Sequence, residues 1–131
     1  AVRVPVVTSS LLQLPALLAR EARVGVLTIS VSNLGPEHLL AAGVPAHRLQ
    51  DVVVQGMDPA GAFARPILRN EEAMDLAAAE ADVVTTARVL QARAPDLRSV
   101  VLECTNMPPY ARAVEAATGW STYGLADVLT R

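Results

Sequence analysis

The chain contains no lysine, a single cysteine and no basic stripe, and each absence closes off a class of protein. Without lysine there is no phosphate loop of the Gly-Lys-Ser type, and no Gly-x-Gly-x-x-Gly opens a helix-like stretch, so a nucleotide cofactor is unsupported. One cysteine cannot form an internal disulfide, and no signal-peptide pattern is present; the expected setting is cytoplasmic. Eleven arginines against thirteen acidic residues leave a net charge of −2, without the electrostatic footprint of a nucleic-acid binder. Apolar runs such as Val24–Ile29 fall far short of the roughly 20 residues a spanning helix needs, so no membrane partner is expected. His38 and His47 lack Cys or carboxylate neighbours at metal-ligand spacing and read as solvated surface residues, with no metal site.

What is present suits one α/β domain. Of 131 residues, 52% are hydrophobic and 18% charged, enough apolar material for a core of ordinary size and too little charge for disorder. Short β-rich runs alternate with helix-like stretches. Val4–Thr8 reads as a buried strand, and a helix capped by Ser9 or Ser10 runs to about Ala22 with Leu11, Leu14 and Leu18 on one face. Val24–Ser30 is a strand, followed by a helix with Pro36 and Glu37 in its first turn and Gly43 at its end. Asp51–Gln55 is the next strand, then an irregular Gly/Pro-rich stretch. A long helix is expected from about Asn70 to Ala94, stopped by Pro95. Arg98–Glu103 is a strand, Pro108–Thr118 a helix, Trp120–Tyr123 a short strand and Leu125–Leu129 a last helical turn or two. Such alternation predicts a three-layer sandwich with a mainly parallel sheet.

In a sheet of this kind ligands bind beyond the carboxyl ends of the strands. That rule selects Thr8, Ser9 and Ser10; Thr28, Ser30, Ser32 and Asn33; the loop at 56–58; and Glu103, Cys104, Thr105 and Asn106. Each hydroxyl can equally be a helix cap. The acidic residues Glu71, Glu72, Asp75 and Glu80 read as a solvated face at the start of the long helix, where negative charge complements the dipole. Cys104 follows the apolar run Ser99-Val100-Val101-Leu102 and precedes a helix opened by Pro108-Pro109. A thiol there faces the positive end of a helix, which favours the thiolate; the alternative is a buried cysteine acting as a small hydrophobe.

Leu102-Glu103-Cys104-Thr105-Asn106-Met107-Pro108-Pro109-Tyr110 resembles the second-cysteine motif of the aspartate/glutamate (and hydantoin) racemase superfamily. Val24-Gly25-Val26-Leu27-Thr28-Ile29-Ser30-Val31-Ser32 is similar to that family's strand-plus-hydroxyl loop, and Val4-Pro5-Val6-Val7 to the strand before it. The resemblance implies two similar α/β domains with a small carboxylate substrate between them, of which residues 1–131 would be the second. It implies an isomerase needing no metal or pyridoxal phosphate: one cysteine removes the proton next to a carboxylate and a second returns one to the opposite face. By the same resemblance Cys104 is an acid/base, Thr105 and Asn106 lie beside the substrate, and Thr28, Ser30 and Ser32 hydrogen-bond its carboxylate.

The departure is the missing first cysteine, which in that family lies upstream of the strand near Val4. Glu103 adjoins Cys104 and is no substitute across the substrate. The chain also opens inside a strand-like run, as expected of a chain cut from something longer. The expectation is a cofactor-independent racemase whose N-terminal domain is absent here, or a homo-oligomer. Single-cysteine decarboxylases of malonate-type acids and diacid cis-trans isomerases of the same superfamily are the enzymatic alternatives. A non-catalytic domain that binds a small acid is the other. Tyr110 and Trp120 read as core or lid residues rather than catalysts.

Overall fold

The computed structural model describes residues 9–29, 34–68, 75–103 and 107–124. Among them the β-branched runs form four short strands: β1 Val24–Thr28, β2 Val52–Gly56, β3 Ser99–Leu102 and β4 Ser121–Tyr123. They pair in the order β2-β1-β3-β4, every pair parallel, with Val26 opposite Val54 on one side and Val101 on the other. The expected α/β sandwich is therefore what the chain forms. The expected strand at Val4–Thr8 and helical turn at Leu125–Leu129 lie outside the described residues.

Among the described residues five α-helices cover the sheet: α1 Leu14–Arg20, α2 Pro36–Ala41, α3 Ala64–Leu68, α4 Leu76–Arg93 and α5 Ala111–Thr118. Alternation along each strand splits the apolar side chains between two cores. Leu27, Val53, Val100 and Leu102 pack with Phe63 and Ala64, with Ala79, Val83, Ala87 and Leu90 of α4, and with Val114 of α5. Val24, Val26, Val52 and Val101 face the other way, onto Leu11, Leu14, Leu17 and Leu18 and onto Leu39 beneath α2. The β1–β2 crossover thus covers one face while the β2–β3 and β3–β4 crossovers run back over the other. Reversing direction and face together gives all three crossovers the same hand, as parallel connections require.

Local chemistry sets the helix ends. The first helical stretch is a 3-10 turn at Ser9–Gln13 that passes into α1 at Leu14. Pro15, with no N–H to give, sits in the first turn of α1, where none is needed. The long helix starts at Leu76 rather than Asn70, because Asp75 has extended backbone and its side chain accepts the N–H of Ala78 at 3.1 Å. Residues 69–74 lie outside the described set. Gly43 takes φ +99° after α2, a left-handed conformation that only glycine adopts without strain. The short α3 follows the Gly/Pro-rich stretch at 56–62, in a segment to which the sequence pattern assigns no element.

Three contacts tie distant parts together. Buried Gln13 donates from Nε2 to the carbonyl of Gly124 at 3.0 Å, joining the first turn to the end of β4. Gly25 lets α4 approach the sheet, since a Cβ there would stand 3.0 Å from both Leu90 Cδ2 and Leu97 Cδ1. Arg48, in the 3-10 helix Ala46–Asp51, donates to the carbonyls of Leu18, Glu21 and Ala22 at 2.8, 3.0 and 3.1 Å. Its Nε meets Asp51 at 2.5 Å.

Candidate functional site

A sheet of order β2-β1-β3-β4 has its switch point between β1 and β3, because the chain leaves β1 toward β2 and then returns past it to β3. In parallel sheets the crossover helices diverge at such a point and leave a crevice beyond the carboxyl ends of the strands. Thr28 ends β1 at this place and is only 2% exposed. Its carbonyl accepts the N–H of Met57, which carries the parallel ladder past the end of β2 at 2.9 Å. Glu103 does the same for β3, its N–H donating to the carbonyl of Leu27 at 2.9 Å. In this extension of the register Glu103 stands beside Thr28 on the same face. The Thr28 hydroxyl donates to Glu103 Oε2 at 2.9 Å.

A carboxylate at the end of a buried strand is costly to desolvate unless donors meet it, and Thr28 is one such donor. The rim then continues into the loop after β2. Asp58 accepts the N–H of Ala60 at 2.9 Å through its side chain and that of Gly61 through its carbonyl. Asp82 of α4 accepts the N–H of Phe63 at 3.3 Å and so fixes the far end of this loop. Phe63 in turn meets Tyr110 edge to face, with centroids 5.9 Å apart and planes at 83°. Tyr110 and Trp120 are both buried, in agreement with their reading as core residues.

Of the residues expected at the site, Thr28 is placed at the crevice. Cys104, Thr105, Asn106, Ser30 and Ser32 lie outside the described residues. Glu103 is among the rim residues selected from the sequence, where it is set aside as a replacement for the missing first cysteine and given no partner. The signal that could have found its partner was parity: Thr28 and Glu103 each sit one step past an apolar run, and equal strand ends bring such positions together. His38 is half-buried, and its Nδ1 accepts the N–H of Gly35 at 3.1 Å, closing the start of α2. That role was not anticipated. Among the described residues no three His, Cys, Asp or Glu side chains gather as metal ligands. No helix among them is long and apolar enough to cross a membrane.

The fold and the position of this pair define a parallel α/β protein with a hydroxyl–carboxylate pair at the switch point of its sheet. The chain is 32% identical over 125 residues to a dimethylsulfoniopropionate lyase of Durusdinium sp. clade D, covering 91% of this chain and 40% of that protein. It is 31% identical over 124 residues to dimethylsulfoniopropionate lyase 7 of Emiliania huxleyi (strain CCMP1516), covering 87% of this chain and 36% of that protein. A 46-residue stretch is 46% identical to dimethylsulfoniopropionate lyase 5 of the same alga. The chain thus spans well under half the length of the curated relatives it matches. No protein-family model matches it, and no solved structure does either.

These relatives overturn the functional expectation. They carry the name of a lyase, so membership of the aspartate/glutamate racemase superfamily and an isomerase activity are both corrected. The decarboxylase, the diacid isomerase and the non-catalytic acid-binding domain gain no support from them. The reason is chemical. Glu103-Cys104-Thr105-Asn106 after an apolar run suggests a thiol that handles a proton, but not which bond breaks after the proton is taken. Proton removal next to a carboxylate can begin a racemisation or an elimination, and the motif reads the same in both.

Proposed function

We propose that the protein carrying this chain cleaves dimethylsulfoniopropionate by elimination. The observation that carries this reading is the similarity to named dimethylsulfoniopropionate lyases over about nine-tenths of the chain. The substrate is a carboxylate joined through two carbons to a dimethylsulfonium cation. A base takes a proton from the carbon next to the carboxylate, and the C–H electron pair becomes the new carbon–carbon double bond. The bond from the adjacent carbon to sulfur breaks with its electrons on sulfur. Neutral dimethyl sulfide and acrylate leave, and the base later gives its proton to solvent. No electron donor or acceptor is consumed.

In this reading Cys104 is the base, as the thiolate, and Ser30, Ser32, Thr105 and Asn106 are donors to the substrate carboxylate. Negative charge accumulates on that carboxylate as the proton leaves, and placed donors stabilise it most at that moment. Thr28 acts by holding Glu103, whose carboxylate favours a cationic substrate at the crevice. A positive sulfonium and a negative carboxylate on one small molecule suit a rim with hydroxyl donors and an acidic side chain.

The test is to incubate the complete protein with dimethylsulfoniopropionate and measure dimethyl sulfide by headspace gas chromatography and acrylate by proton NMR. Equimolar release of both is expected, and Cys104→Ala should lower the rate by about 10²–10⁴, the usual contribution of a placed base. Dimethyl sulfide no faster than in buffer overturns the reading. Full activity in Cys104→Ala overturns the role of the thiol alone.

A further inference from the structure

Where α4 and α5 meet, a groove stands open on the outside of the molecule. Its volume is about 480 Å³, and its apolar lining is Ala77, Ala81 and Val84 of α4 with Ala113, Ala116 and Ala117 of α5. Near the start of α4 it adjoins a second hollow of about 580 Å³, which shares Ala77 and adds Leu76, Pro109 and Tyr110. Leu76 is 67% exposed, the most exposed large apolar side chain among the described residues. Side chains as small as alanine let another helix come close, toward the short end of the 8–10 Å at which helices pack.

Two charges interrupt this apolar lining, Glu80 and Arg88, both exposed. Neither forms an ion pair among the described residues. Along α4 they stand about 12 Å apart, too far to meet each other. Val84 lies midway, four residues from each, and the three positions fall within about 80° on one side of the helix. Such a strip complements itself. If a second α4 crosses antiparallel with Val84 over Val84, Glu80 of each copy comes opposite Arg88 of the other, the reciprocal pairing that a twofold axis requires. An acidic partner would instead set like charge against Glu80, and a basic one against Arg88.

We propose that the groove between α4 and α5 seats a second copy of this chain, docked about a twofold axis at Val84. The contact buries Val84 and the alanines around it, and Glu80 and Arg88 form two equivalent ion pairs between the copies. Arginine suits the role because its planar fork matches a carboxylate. Apolar burial supplies the attraction, while the two charges fix the register and the antiparallel direction. The interface does not depend on the elimination reaction.

Sedimentation velocity of the complete protein, from nanomolar to high micromolar concentration, tests the proposal. Self-association is expected. Glu80→Arg and Arg88→Glu each set like charges opposite one another at both contacts, and each should weaken association about tenfold or more. The double variant Glu80→Arg/Arg88→Glu restores opposite charges across the axis and should return to within about threefold of the original. Circular dichroism should be unchanged in all three, because both side chains are exposed, and so separates lost association from lost folding. Three results overturn the interface: a complete protein that stays monomeric throughout, single reversals that associate as well as the original, or a double variant no better than either single one.

Discussion

At the carboxyl edge of the sheet Thr28 donates to Glu103, and at the amino edge Ser99 donates to Glu21, at 2.9 and 2.7 Å. Both pairs join a buried hydroxyl to a half-buried carboxylate, and both bridge segments 75 or more residues apart in sequence. Their surroundings differ. The Thr28 pair stands on neighbouring strands at the switch point, where two crossovers part. The Ser99 pair stands under a helix end, ringed by arginines and with one carboxylate oxygen unmet. One motif of two side chains thus stands in two kinds of surroundings, set apart by the neighbouring charge and the topology.

Four substitutions sharpen this contrast. Phe63→Ala should have the largest effect, because Phe63 is fully buried and supports the loop at the carboxyl edge. Urea unfolding should show a loss of about 3–5 kcal/mol, with the amino edge destabilised only through the shared core. Thr28→Val keeps the volume and removes the hydroxyl from a charged acceptor, so a loss of about 1.5–3 kcal/mol is expected. It should also lower dimethyl sulfide release.

Gly25→Ala pushes a methyl group against Leu90 and Leu97, and overpacking of this kind costs about 1–3 kcal/mol. Both side chains are flexible at their ends, which places the expectation toward the lower figure in the same unfolding experiment. Arg23→Gln is the smallest. Its ion pair with Asp96 is between side chains 36% and 51% exposed, so less than about 1 kcal/mol should be lost. A larger loss at low salt that vanishes at high salt would show that the arginine cluster acts as a unit.

The sheet could be read from residue patterns because strands buried on both faces are short apolar runs. Val24–Thr28 and Ser99–Leu102 are such runs, with all nine residues buried. Helix starts were harder, since periodicity alone does not choose between Asn70 and Asp75; the cap does, and it depends on backbone geometry. The Thr28–Glu103 contact follows from register between strands far apart in the chain, which equal strand ends hint at and only the pairing of β1 with β3 fixes. Glu21 and the arginines around it look like ordinary surface charge in the sequence. Their grouping appears only when α1, β1 and the turn before β3 are brought to one edge. The reaction was misjudged for a different reason, since residues that take a proton do not specify the bond that breaks next.

Arg48 has a consequence for motion. Its side chain stitches the last carbonyls of α1 to Asp51, which immediately precedes β2. Neither segment can peel away from the sheet without breaking the same set of bonds. Amide hydrogens of α1 and of residues 46–51 should therefore exchange with solvent deuterium in one cooperative opening, although β1 and α2 separate them in sequence. Fluctuations of the domain would then follow the path of one guanidinium rather than the order of the chain.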